Sequence, residues 1–87
     1  MAGNDYGIHY FPNPAYTVLY IDSLRLEDKW QTLEVYNLNG QQKIISMDIH
    51  GKTSLSISLQ NLPAGYFIIQ LRSRSEASTY LKIKMHG

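Results

Sequence analysis

Turn punctuation constrains this chain more than any other feature of its sequence. Pro12-Asn13-Pro14, Asn39-Gly40, His50-Gly51-Lys52, Asn61-Leu62-Pro63-Ala64-Gly65 and a polar stretch from Ser73 to Ser78 cut it into short apolar or β-branched runs. Breaks at a spacing of roughly 8 to 12 residues leave no room for an amphipathic helix of ordinary length and suit a small antiparallel sheet protein. Ile8 to Phe11 predicts a short edge strand entering a fixed bend, because two prolines remove backbone donors and hold Phe11 and Asn13 extended. Tyr16 to Asp22 alternates Val18 and Tyr20 with Leu19 and Ile21, apolar on both sides, which predicts a strand buried on both faces.

Arg25 to Lys29 is the one charge-dense stretch, a helical turn or a polar connection, and it is read as a loop. Trp30 to Leu38 is β-branched and aromatic and runs into Asn39-Gly40, the pair that most readily supplies the positive φ angles of a two-residue hairpin. Gln41 to His50 is therefore expected to return antiparallel. Leu55, Ile57 and Leu59 alternate with Ser54, Ser56 and Ser58, giving one core face and one solvated face. Tyr66 to Leu71 is a continuous apolar run suited to a central strand. The last run sets Thr79, Leu81, Ile83 and Met85 on one face, with Tyr80, Lys82 and Lys84 on the other.

These runs predict an all-β fold, a small immunoglobulin-like antiparallel β-sandwich of about seven strands. Trp30 has no cysteine pair beside it, so the expectation is the general architecture and not an antibody-type domain. The 87 residues make one domain, too small to enclose a large cofactor crevice. Residues 1–7, small and polar, read as a flexible lead-in or linker remnant, and residues 8–87 as the folded unit.

Lys and Arg number 8 against 7 Asp and Glu, a net charge of +1. That balance gives no whole-chain field to attract nucleic acid or anionic lipid, so any basic function is local. The absence of cysteine excludes disulfides, thiolate metal sites and a thiol nucleophile, and is compatible with the cytosol or with export. No segment approaches the roughly 18 apolar residues that a membrane-spanning helix needs. The opening residues lack the basic and apolar regions of a signal peptide, so any such peptide is expected upstream, with Met1 an expression start.

No catalytic constellation emerges. His9, His50 and His86 are dispersed without ligand spacing, and no two carboxylates are placed to face one another. Ser54, Ser56 and Ser58 have no convergent base. The seven tyrosines and Trp30 are read as half-buried strand fillers with their hydroxyls at the rim rather than as a stacking platform. The expectation is a non-enzymatic domain with no cofactor.

Four ordered features go further: Tyr10-Phe11-Pro12-Asn13-Pro14-Ala15, Leu33-Glu34-Val35-Tyr36-Asn37-Leu38-Asn39-Gly40, Leu59-Gln60-Asn61-Leu62-Pro63-Ala64-Gly65-Tyr66-Phe67 and Tyr80-Leu81-Lys82-Ile83-Lys84. Over Tyr10 to Lys84 the chain resembles the C-terminal sorting domain of type IX secretion cargo, type A. Phe67 supplies the aromatic that the family places two residues after the motif glycine. Tyr66 and the tail Met85-His86-Gly87 depart from the usual pattern.

The resemblance implies the signal that ends a larger exported cargo, crosses the periplasm, and is recognised by the type IX translocon and its outer-membrane shuttle components. The cargo then reaches the outer-membrane surface or the medium. It also implies a sortase-like C-terminal signal peptidase that cuts before the domain, here before or within Met1 to Ile8. Lys82, Ile83 and Lys84 become the candidate translocon-recognition residues, the lysines facing an acidic surface and Ile83 fixing the strand's register. The competing account of those lysines is that they guard an exposed edge against aggregation.

Pro12, Asn13 and Pro14 form either a rigid corner or a recognition epitope, and Asn39, Gly40, Asn61, Leu62, Pro63, Gly65 and Phe67 are the remaining motif positions. Gly40 and Gly65 are read as conformational, since glycine alone takes positive φ without a Cβ penalty. The alternative function is a carbohydrate-binding or adhesion module of the same architecture that stays on its parent.

Overall fold

The computed structural model describes residues 7–12, 17–38, 42–60, 62–75 and 77–85. Within them lie seven strands: β1 (His9–Phe11), β2 (Val18–Asp22), β3 (Trp30–Asn37), β4 (Gln42–Asp48), β5 (Leu55–Ser58), β6 (Gly65–Ser73) and β7 (Ser78–Met85). They form two sheets, a three-stranded one ordered β1-β2-β5 and a four-stranded one ordered β4-β3-β6-β7. Every pairing is antiparallel. Because β2 pairs with β5 while β3 pairs with β6, the chain crosses between sheets repeatedly, and the result is an immunoglobulin-like β-sandwich.

The alternation in the sequence decides which side chains meet between the sheets. Leu19, Ile21, Ile57 and Leu59 come from the three-stranded side, and Leu33, Val35, Phe67, Ile69, Leu71, Leu81 and Ile83 from the four-stranded side. Burying a side chain of this size contributes about 1.5 to 3 kcal/mol, so this interior is the main source of stability. Trp30 and Leu33 face the same interior although three positions apart, because a bulge between Trp30 and Thr32 adds one residue to β3 against β6.

Three expectations change in detail. β2 is buried on one face only: Leu19 and Ile21 are inside, whereas Tyr20 is 48% exposed. Among the described residues nothing packs on the outer side of the three-stranded sheet, and the apolar body of Tyr20 is shielded instead by Phe11, its cross-strand partner, stacked at 5.6 Å. Leu26–Asp28 forms one turn of 3-10 helix rather than a loop, closed by Lys29 in the left-handed region (φ 54°, ψ 44°). Leu55, at the start of β5, is half-buried, while Ile57 and Leu59 are fully inside.

Candidate functional site

The site centres on β7, an edge strand of the four-stranded sheet. Its alternation is complete: Thr79, Leu81, Ile83 and Met85 are buried, and Ser78, Tyr80, Lys82 and Lys84 are exposed. Ile83 lies opposite Phe67 in the β6–β7 register, and both are 1% exposed in the interior. Slipping the strand by one residue would drive Lys82 or Lys84 into that interior, so these apolar contacts fix which side chains face out.

On the outer face the register sets Lys84 opposite Tyr66, Lys82 opposite Ile68 and Tyr80 opposite Gln70. The two ammonium groups converge on the Tyr66 ring, Lys82 Nζ at 5.1 Å and Lys84 Nζ at 5.8 Å from its centroid. Each such contact at an exposed site contributes about 0.5 to 1 kcal/mol, enough to bias long side chains toward one position. Tyr66, a departure from the usual motif, is thus the platform on which the candidate lysines rest. Beside it, Gln70 Nε2 donates to the Tyr80 hydroxyl at 3.1 Å.

Further across the face, Glu34 on β3 is 8% exposed and is bracketed by Lys43 on β4 and Arg72 on β6, each at 3.3 Å. Tyr36 donates its hydroxyl to the same carboxylate at 3.1 Å. Burial pushes the Glu34 carboxyl upward, but the hydrogen bonds from Lys43 and Tyr36 and the charges of Lys43 and Arg72 outweigh it, so its pKa is lowered overall. Glu34 therefore balances the cations in the middle of the sheet, while Lys82 and Lys84 hold positive charge at the margin.

The edge itself carries a link to the opposite sheet. Tyr10 on β1 donates its hydroxyl to the Lys82 carbonyl at 3.3 Å. That single hydrogen bond ties the opening strand to the closing one across the two sheets.

The remaining motif positions do not gather into one surface. Pro12 follows β1 directly, is exposed, and is joined to Phe11 by a cis peptide bond. Leu62 packs against the core, Pro63 is exposed, and Leu62 N–H donates to the Leu59 carbonyl at 3.0 Å. Gly65 opens β6 at φ 138°, a conformation that side-chain-bearing residues rarely adopt. Asn13, Pro14, Asn39, Gly40 and Asn61 lie outside the described residues. Among the described residues no cluster of three His, Asp or Glu is arranged to hold a metal ion.

Sequence reasoning missed Tyr10 and Tyr66 as partners of the final strand, because the first contact depends on how the two sheets pack and the second on the β6–β7 register. Tyr20, Tyr66 and Tyr80 are each about half exposed, the half-buried state expected of strand tyrosines.

Comparison with known proteins gives two matches. The model of a family described as the secretion system C-terminal sorting domain matches residues 9–85. Among solved structures, a DUF3244 family protein with an immunoglobulin-like β-sandwich fold, from Bacteroides vulgatus, superposes with a TM-score of 0.76 at 15% identity, covering 91% of this chain and 84% of that one. At that identity the likeness supports the fold alone. No curated protein matches the chain.

Proposed function

The chain belongs to the secretion system C-terminal sorting domain family, and from that premise we propose that the type IX translocon reads it as a folded surface centred on β7. The observation that carries this reading is the pairing of Lys82 and Lys84 on the Tyr66 ring at the edge of the four-stranded sheet. Two cations held on an aromatic shelf offer an acidic partner a geometry with part of its ordering entropy already spent. Ile83 keeps that geometry by anchoring the strand in the interior. The domain acts by being recognised and performs no chemistry of its own.

In this reading, a sortase-like peptidase cuts before β1 and frees or anchors the cargo at the outer-membrane surface. Ile8 is 1% exposed and Tyr10 bonds to β7, so a cut upstream of them leaves the sandwich whole. Family membership does not favour the alternative of a carbohydrate-binding or adhesion module that stays on its parent.

The test fuses residues 6–87 behind a fluorescent reporter carrying a Sec signal, in cells with and without a working exporter. Reporter outside the cell only when the exporter works supports the sorting role. A Lys82→Ala, Lys84→Ala double variant that folds normally is expected to leave the reporter in the periplasm. Undiminished secretion of that variant would dismiss the lysine shelf as the recognition element and leave the sorting role standing.

A further inference from the structure

All eight Lys and Arg residues fall into two groups. Lys43, Arg72, Lys82 and Lys84 stand on the strands of the four-stranded sheet. Arg25, Lys29, Lys52 and Arg74 line a cavity of about 290 Å³, together with His50 and Trp30. The second group comes from three separate connections: the segment around the 3-10 turn, the His50-Gly51-Lys52 turn and the β6–β7 turn. We propose that this cavity is a binding pocket for an organic phosphate, a site distinct from the lysine shelf and independent of the sorting role.

Three observations support the assignment. The first is charge. Asp28 is the acid that offsets one of the four cations, through Arg25 at 3.1 Å. No salt bridge joins Lys29, Lys52 or Arg74 to an acid among the described residues. Like charges around one concavity repel, and a phosphate monoester carries about −1.5 to −2 with three acceptor oxygens to relieve that repulsion. A single carboxylate would neutralise less, and the Arg74 guanidinium fork matches phosphate geometry.

The second is rigidity. Arg74 N–H donates to the Lys29 carbonyl at 2.9 Å, and the Ser73 hydroxyl donates to the Asp28 carbonyl at 2.6 Å, binding two of the connections together. Lys29 is held in the left-handed region, which an ordinary side-chain-bearing residue occupies at some cost. In the third connection, Lys52 N–H donates to the Ile49 carbonyl at 3.1 Å, and Asp48 accepts the His50 N–H at 2.9 Å. The cations are therefore mounted on fixed backbone.

The third is size and lining. The volume exceeds what one inorganic phosphate fills and is near the lower limit of small-molecule sites, about 300 Å³. Trp30, buried at 3% exposure, forms the floor, and Leu26 lines the mouth at 61% exposure. The ligand then has a phosphate and a compact organic part, either a free sugar phosphate or the headgroup of a phosphorylated lipid.

The experiment follows backbone amide shifts of the full chain during titration with glucose 6-phosphate, with glucose as the neutral control. Shifts confined to residues 25–30, 50–52 and 73–75, absent with glucose, support the pocket and a soluble source. Flotation with phosphatidic acid vesicles but not phosphatidylcholine vesicles, mapping to the same residues, supports the pocket and a lipid source. In either arm, Lys52→Glu with Arg74→Glu is expected to weaken binding by at least about tenfold. Lys52→Gln with Arg74→Gln, checked by thermal unfolding, replaces it if the charge reversal fails to fold. Lys82→Ala with Lys84→Ala is expected to bind as the wild type does. No shift with millimolar phosphate ester and no flotation, equal binding of an acidic peptide, or loss of binding in the Lys82/Lys84 variant would each overturn the proposal.

Discussion

Thr79 tests the packing of the terminal strand directly. It sits on the inner face of β7 opposite Leu71, 1% exposed, and its hydroxyl has no hydrogen-bond partner among the described residues. A buried hydroxyl without a partner costs about 1 to 3 kcal/mol relative to solvation in water. Thr79→Val removes that group and puts a methyl of similar shape in its place. The expected gain is about 1 to 2 kcal/mol, the desolvation cost less some loss to imperfect fit. For a domain of this length, each kcal/mol raises the melting temperature by about 4 to 8 °C. Trp30, the chain's one tryptophan and buried in the interior, provides a fluorescence reading of urea unfolding, with circular dichroism as the second probe. Thr79→Ser keeps the unpaired hydroxyl and loses the methyl, so it should lie below the wild type. A Thr79→Val protein less stable than wild type would show that the hydroxyl is satisfied and that this account of the strand's interior is mistaken. Because the proposed signal is a folded edge, the stabilised variant should also be secreted as efficiently as the parent.

Three other outcomes are expected. Gly65→Val forces a branched side chain onto φ 138° and should cost about 1 to 3 kcal/mol, seen as a lower urea midpoint, with export failing in step with unfolding. Glu34 has a lowered pKa in the folded state, so its contribution is complete above the ordinary carboxylate value and disappears as pH falls through the folded one. The stability gap between wild type and Glu34→Gln should therefore close on acidification, and a gap that is constant with pH would contradict the bracketed carboxylate. Tyr10→Phe loses one long, exposed hydrogen bond to Lys82, costing about 0.5 kcal/mol. Amide exchange along β7 should quicken more than in the rest of the four-stranded sheet.

Local patterns carried much of the fold. The alternation from Thr79 to Met85 gave the orientation of β7 correctly to the last described residue, and Leu33, Val35 and Phe67 occupy the interior as their runs implied. Such features depend on a period of two and on turns, which neighbouring residues dictate. Tyr20 was misread because burial of an outer face depends on whether another layer covers it, and nothing in Tyr16 to Asp22 records that. The lysine shelf was half legible: Lys82 and Lys84 stood out, but Tyr66 joins them only through the β6–β7 register. The cationic cavity was invisible in the sequence, since Arg25, Lys52 and Arg74 belong to connections that are far apart along the chain and meet only when the strands bring their ends together.

The two sheets also set how the domain bears load. β1 begins beside the last residue of β2, at the end of the sandwich where β3 starts, whereas β7 finishes opposite the first residue of β6, at the other end. A cargo dragging on the first strand while a receptor grips the last would pull along the strand axes. The ladder bonds of β1 and β7 would then be sheared together instead of being peeled apart one after another. With no cysteine in the chain, an axial pull of that kind would be resisted by the sheared ladders and the packed interior alone.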